Sequence, residues 1–179
     1  MMAKAMKRAT AGSFLLTLVF IGIYLAELDW AIPFAITFGT CFYHFAMRLI
    51  VGYLLNRIMH NKANYTKGWY QLRPFEIPIY KALQVKKWKS NMPTYDPSAF
   101  DPKLHTWEEI AQAMCQAELV HEIIILLSFL PLLAAIPFGA FPVFLITSLS
   151  AALYDLSFVI MQRYNRPRII NILRKNARV

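Results

Sequence analysis

The chain has 179 residues, 58% hydrophobic and 15% aromatic, with 19 Lys and Arg against 10 Asp and Glu for a net charge of +9. A mean hydropathy of +0.40 excludes an ordinary soluble domain and reads as an integral membrane protein. Two cysteines, Cys41 and Cys115, exclude a disulfide framework, and the length suits one helical domain over residues 1–179.

A membrane span needs about 20 mostly apolar residues. The pattern predicts four, and with them an all-α polytopic fold. The first, residues 11–28, follows Lys4, Lys7 and Arg8. No small-residue cleavage site comes after it, so it reads as a retained anchor rather than a signal peptide. Asp29, Trp30 and Pro33 form a turn, with Trp30 suited to the membrane interface.

The second span, residues 31–55, holds His44 and Arg48 at i and i+4, so they share a face. Arg48 is nine residues from Arg57, roughly 13 Å at 1.5 Å per residue, within reach of a side chain that snorkels. A neutral imidazole bonded to a neighbouring helix and a proton-transfer group are the two readings of His44.

Over residues 56–116 the apolar period breaks down and Lys, Tyr, Trp and Pro dominate. So long a connector carries short elements of its own or a function. Residues 77–88 read as an interfacial helix leading into Lys86-Lys87-Trp88-Lys89, a basic and aromatic run that suits lipid headgroups or ligand phosphates. Nucleic acid is not expected as a partner, because the cluster is short and nothing else supports it. Asp96-Pro97 and Asp101-Pro102 are turn signals. Thr106 with Glu109 three residues on reads as a capping box that starts a helix running through Pro131, where a kink is expected.

The third span, residues 117–136, brings Glu118, His121 and Glu122 onto one helical face, with Cys115 a turn earlier and no charge from Ile123 to Phe138. Ionisable groups at such a depth are a functional-site hypothesis. The alternative is that they sit at the headgroup boundary and touch water. The fourth span, residues 141–161, carries Asp155 roughly 10 Å inside its end. An isolated carboxylate there takes up a proton or finds a cation, and Arg48 lies at comparable depth. A basic tail, residues 162–179, follows, opening on Gln162-Arg163-Tyr164-Asn165-Arg166-Pro167-Arg168. Its guanidinium groups suit an anionic ligand. Lys and Arg are missing from the two short turns, so the positive-inside rule puts both termini and the 56–116 segment in the cytoplasm of a multi-pass cell-membrane protein.

Three segments, Tyr80-x-x-Leu83-x-Val85-Lys86-Lys87-Trp88-Lys89, Cys115-x-Ala117-Glu118-Leu119-x-His121 and the 162–168 heptapeptide, stand in the order and approximate spacing of a known family. By them the chain resembles the bacterial glycosyl-4,4'-diaponeurosporenoate acyltransferases over about its last hundred residues. It departs from the family's pattern at Gln116, where Arg is common, and at Asp155, where Asn is usual.

The resemblance implies transfer of a fatty acyl group onto a hydroxyl of a glycosylated lipid, a carotenoid glycoside or another glycolipid. No bound cofactor is implied, and the co-substrate is an activated acyl donor such as acyl-CoA. Such chemistry needs a base, a stabilised oxyanion and room for a long chain. The expected roles are His121 as general base, Glu118 as its orienter, and Arg163, Asn165, Arg166 and Arg168 on the donor's anionic part. Lys87, Trp88 and Lys89 form the other wall of the mouth, with Glu122, His44, Arg48 and Asp155 completing the substrate site. Three alternatives stand beside this: Cys115 as an acyl-enzyme nucleophile, a metal held by Glu118, His121, Glu122 and His44, and a non-catalytic lipid-binding scaffold.

Overall fold

The computed structural model describes residues 2–176; Met1 and the last three residues of the expected basic tail lie outside the described residues. Among the described residues every regular element is helical. Four stretches are long and apolar enough to cross a membrane: Met2–Leu25, Asp29–Met59, Trp107–Phe138 and Phe141–Asn176. They lie where hydropathy puts them, but their ends differ in ways that matter for the site.

Helix α1 (Met2–Leu25) starts before residue 11, since the Lys and Arg ahead of the apolar run are good helix formers. It buries only Ser13 and packs on α2 (Ile32–Met59), with Phe20 stacked on Phe34 and Phe38 at centroid distances of 5.0 and 5.5 Å. Leu25, Leu126 and Ile136 are 74, 73 and 83% exposed. Hydrocarbon solvates such a surface far better than water does.

At the end of α2 the chain turns through His60 and Asn61, both left-handed, and the side chain of Gln116 accepts the Asn61 N–H at 2.7 Å. The interfacial helix expected over 77–88 is two pieces, α3 (Glu76–Ala82) and α4 (Val85–Trp88). Gln84 between them has φ 51°, which breaks the ladder, and Trp88 Nε1 donates to the Leu83 carbonyl at 3.0 Å. Helix α5 (Trp107–Leu127) opens on the expected capping box: Thr106 accepts the Glu109 N–H at 3.2 Å and Glu109 accepts the Thr106 N–H at 2.8 Å.

No α-helix runs on through Pro131. Helix α5 stops at Leu127, and a 3-10 turn, Leu130–Ala134, leads into the short α6 (Ala135–Phe138). The reason is chemical, because Pro131 has no N–H to give the Leu127 carbonyl four residues back. Tyr43 of α2 supplies the missing donor, its hydroxyl reaching that carbonyl at 2.8 Å.

Gly139 (φ 68°) and Ala140 (φ 52°) then turn the chain into α7 (Phe141–Asn176), which continues well past residue 161 with Pro167 inside it. The basic heptapeptide is therefore helical. Its buried residues, Asp155, Val159, Gln162 and Arg166, continue the stripe begun by Phe144, Ser148 and Ala152. Small buried residues on α5, Ala111, Ala113 and Cys115, let α7 come close along it. Helix α2 also packs on α5, through Met47 and Val51 against Ile124. By contrast, α2 and α7 meet mainly through side chains.

Removing the Tyr43 hydroxyl isolates the orphaned Leu127 carbonyl. Tyr43→Phe is therefore expected to cost about 1–3 kcal/mol of stability, read as a lower unfolding midpoint of the purified protein in detergent.

Candidate active site

Two buried charge clusters lie end to end between α5 and α7. In the first, Glu118 is fully buried and each carboxylate oxygen meets a different arginine one turn apart on α7. Arg163 Nη1 donates to Oε1 at 2.6 Å, and Arg166 Nη2 donates to Oε2. The connector takes up further donors, while Arg166 Nε is buried without a partner. Arg163 bonds the carbonyls of Trp69 and Gln71 at 2.9 and 3.0 Å, and Arg166 bonds that of Tyr70 at 2.6 Å. A second carboxylate, Glu76 at the start of α3, forms a two-pronged pair with Arg163 at 2.5 and 3.0 Å.

Burial alone would push the Glu76 carboxyl up, but hydrogen bonds from Arg163 and Tyr80 hold it below the usual carboxylate range. Burial, and the same bond to Glu76, push the Tyr80 phenol above its ordinary value. Glu76 is thus charged and Tyr80 neutral, and two carboxylates balance two guanidinium groups.

The second cluster is built on Asp155, 1% exposed. One of its oxygens takes Arg48 of α2, and the other faces His121 Nδ1 at 2.8 Å. The pairing of Arg48 with Asp155 across two spans is the one expected from their matched depth. Arg48 is fixed further by the carbonyls of His44 and Ala151. The His121 ring stacks on Phe158 with centroids 4.5 Å apart and planes 5° from parallel. Its other nitrogen, Nε2, has no hydrogen-bond partner among the described residues, and its side chain is 22% exposed.

The role expected of Glu118 is corrected by this geometry. It does not orient His121, although the two are three residues apart, because both its oxygens are committed to guanidinium groups. Charge-assisted bonds to arginine outcompete one to a neutral imidazole. Asp155 orients the ring instead. Arg163 and Arg166 are likewise turned inward, their forks filled by protein acceptors rather than open to a donor. Glu122, on the neighbouring face, accepts the Trp69 indole N–H at 3.0 Å. Cys115 is fully buried against Ala63 and Tyr70, without the access that a nucleophile needs.

At the rim, Lys89 bonds Asn165, and both Lys89 and Arg168 lie over the Tyr164 ring at 5.1 and 4.8 Å. Burial, then the charges of Arg168 and Lys86, press the Lys89 ammonium below its ordinary value. Lys87 is exposed and Trp88 half-buried beside them. His44 is buried with both ring nitrogens unpartnered, so the expected bond to a neighbouring helix is not formed. Glu118, His121, Glu122 and His44 are not gathered round one point, and no metal-sized group of three such ligands occurs among the described residues.

Residues 66–175, more than half of the chain, match the family model described as glycosyl-4,4'-diaponeurosporenoate acyltransferase. The chain belongs to this family. No curated protein and no solved structure matches it. The stretch matched by the acyltransferase family contains the whole Glu118 cluster, His121 and Asp155, and the rim from Lys87 to Lys89. Arg48 and His44 lie outside it, on α2.

Sequence reasoning missed Glu76, Tyr80 and Phe158 as neighbours of these groups. Glu76 resembles any acidic residue in the first turn of a helix, and nothing local marks it as the partner of Arg163, 87 residues away. Two substitution patterns follow. Glu118→Gln leaves the buried Arg166 without a carboxylate and is expected to cost about 3–5 kcal/mol, seen as loss of folded protein on size exclusion in detergent. Arg48→Met and Asp155→Asn each break a buried pair, and the double change is expected to destabilise less than either alone in thermal unfolding.

Proposed function

We propose that this chain is a membrane-embedded acyltransferase that moves a fatty acyl group from an activated donor to a hydroxyl of a glycosylated lipid. His121 is the general base. The observation that carries the reading is the Arg48–Asp155–His121 series, in which a buried carboxylate holds Nδ1 while Nε2 stays free. Asp155 is already balanced by Arg48, so it fixes the Nδ1–H tautomer and leaves a lone pair on Nε2.

In the step proposed, Nε2 takes the proton of the acceptor hydroxyl as its oxygen attacks the acyl carbonyl carbon. A tetrahedral oxyanion forms as the acyl C=O π bond opens. Its collapse breaks the bond to the leaving thiolate or alkoxide, which receives the proton back from His121. The Glu118 cluster keeps the connector docked over α5 and α7. Lys87, Trp88, Lys89, Asn165 and Arg168 line the mouth that meets the donor's anionic end, with acyl-CoA a suitable donor. The positive-inside rule orients that mouth, and both termini, toward the cytoplasm. The lipid bilayer supplies the acceptor.

In a host making a glycosylated carotenoid acid, the wild-type chain is expected to add one acyl mass to that lipid by mass spectrometry. His121→Ala is expected to lower the yield by about 100- to 10,000-fold, the usual worth of a general base, while the protein still inserts and folds. Equal conversion by both chains would remove His121 from the chemistry. Loss of folding in His121→Ala, with no acyl gain by the wild type on any lipid of its native host, would favour the scaffold reading.

A further inference from the structure

On the far side of the Arg48–Asp155–His121 series from the charged rim, α1, α2 and the Leu130–Phe138 segment line an open cleft, a cavity of about 550 Å³. Its α2 wall runs from Ile32 through Ala35, Gly39 and Thr40 to Tyr43. The two hydroxyls on that wall are already used, Thr40 on the Ile36 carbonyl and Tyr43 on that of Leu127, each at 2.8 Å. What is left along α2 is hydrocarbon surface, and it suits a hydrocarbon ligand.

Length identifies which one. Eleven residues of α2 rise roughly 17 Å, close to one leaflet of a bilayer whose hydrocarbon is about 30 Å thick. A single fatty chain matches that length. A tail long enough to cross the whole bilayer does not.

Two polar groups follow the lining residues along α2 and α7. His44 follows Tyr43 on α2, and Ser148 lies one turn past Phe144, the α7 residue that lines the cavity. Both are buried, and His44 Nδ1, His44 Nε2 and Ser148 Oγ have no hydrogen-bond partner. One turn farther along α2 is Arg48, and seven residues farther along α7 is Asp155, the two partners of the buried pair. Cavity, unpartnered polar groups and the His121 series therefore stand in a row. An unsatisfied buried imidazole and hydroxyl are costly unless a ligand completes them.

We propose that this cavity is the site of the donor's fatty acyl chain, with the chain's carbonyl end drawn past His44 and Ser148 to His121, and that Gly39 and Ala35 set the length accepted. The proposal rests on the acyltransferase reading above. The methyl end lies toward Ile32. A Cβ on Gly39 meets only Thr17 Cγ2, at 3.6 Å, an ordinary contact, so the position tolerates a small side chain while a larger one fills the cavity.

The test is the acyl composition of the product, by mass spectrometry, made by wild-type, Gly39→Ala, Gly39→Leu and Ala35→Phe chains given a mixture of donor chain lengths. Gly39→Leu, nearer the reacting end, is expected to shift the product to shorter chains by several methylenes. Ala35→Phe shifts it less, and Gly39→Ala least. Active variants with the wild-type acyl profile would overturn the assignment and leave the acyltransferase reading intact. An unchanged acyl profile with altered choice of acceptor would also overturn it, giving the cavity to the acceptor's tail. A wild type that acylates nothing would overturn both. Should Gly39→Leu fail to fold, Ala35→Phe on the next turn carries the same comparison.

Discussion

The structure depends on one buried carboxylate. Glu118 is fully buried, and a lone charge there would protonate or unfold its surroundings. Two guanidinium groups one turn apart on α7 prevent this, each taking a single oxygen. The arrangement fixes the register of α5 against α7, since sliding either helix by one turn leaves a carboxylate or an arginine buried alone. It also fixes the connector, because the same arginines give further hydrogen bonds to the carbonyls of Trp69, Tyr70 and Gln71 and to Glu76. A loop that hydropathy leaves shapeless is thereby held by main-chain acceptors, which no side-chain substitution in the loop removes.

That division of charge frees His121. A histidine three residues from a glutamate on one helix face is normally steered by it, yet here the glutamate is unavailable and a second carboxylate on another helix does the steering. Asp155 in turn pairs with Arg48 through its other oxygen. A neutral ring with one nitrogen anchored and the other free is the state a general base requires at neutral pH. Stacking on Phe158 packs one face of the ring.

How much of this was legible depended on how far each feature reaches along the chain. The four long apolar helices follow from hydropathy, and the Thr106 capping box follows from residues three apart. Arg48 and Asp155 were pairable because depth in a span is a one-dimensional quantity, counted at a fixed rise per residue. The partners of Glu118 were not legible for a physical reason. They depend on α7 staying helical through Pro167, whereas the apolar run stops at residue 161 and suggests a loose basic tail. The inward turn of Arg163 and Arg166 was hidden likewise, since a cluster of arginines beside a membrane span has the same composition whether it faces a ligand or a buried carboxylate. At Pro131 a kink in a continuing helix was expected, and instead α5 ends at Leu127; the rescue of that carbonyl by Tyr43, 84 residues away, belongs to tertiary structure.

The order of environments along α2 ties the fold to the chemistry proposed for it. From Ile32 to Tyr43 the wall is apolar, and at His44 α2 offers unpaired nitrogen atoms before Arg48 pairs with Asp155. An activated fatty acid changes character in the same order, from chain to carbonyl, and its anionic carrier is left to the rim of Lys89 and Arg168. A single helix thereby presents a matching gradient along the acyl part of the ligand. The acceptor needs no such gradient, since only its hydroxyl must reach His121 and its tail can remain in lipid. The bilayer delivers it laterally, where the exposed apolar flanks of the helices offer no polar barrier. Two substrates of similar greasiness are in this way separated by route, one laid along the cleft beside α2 and the other presented at the edge of the bundle.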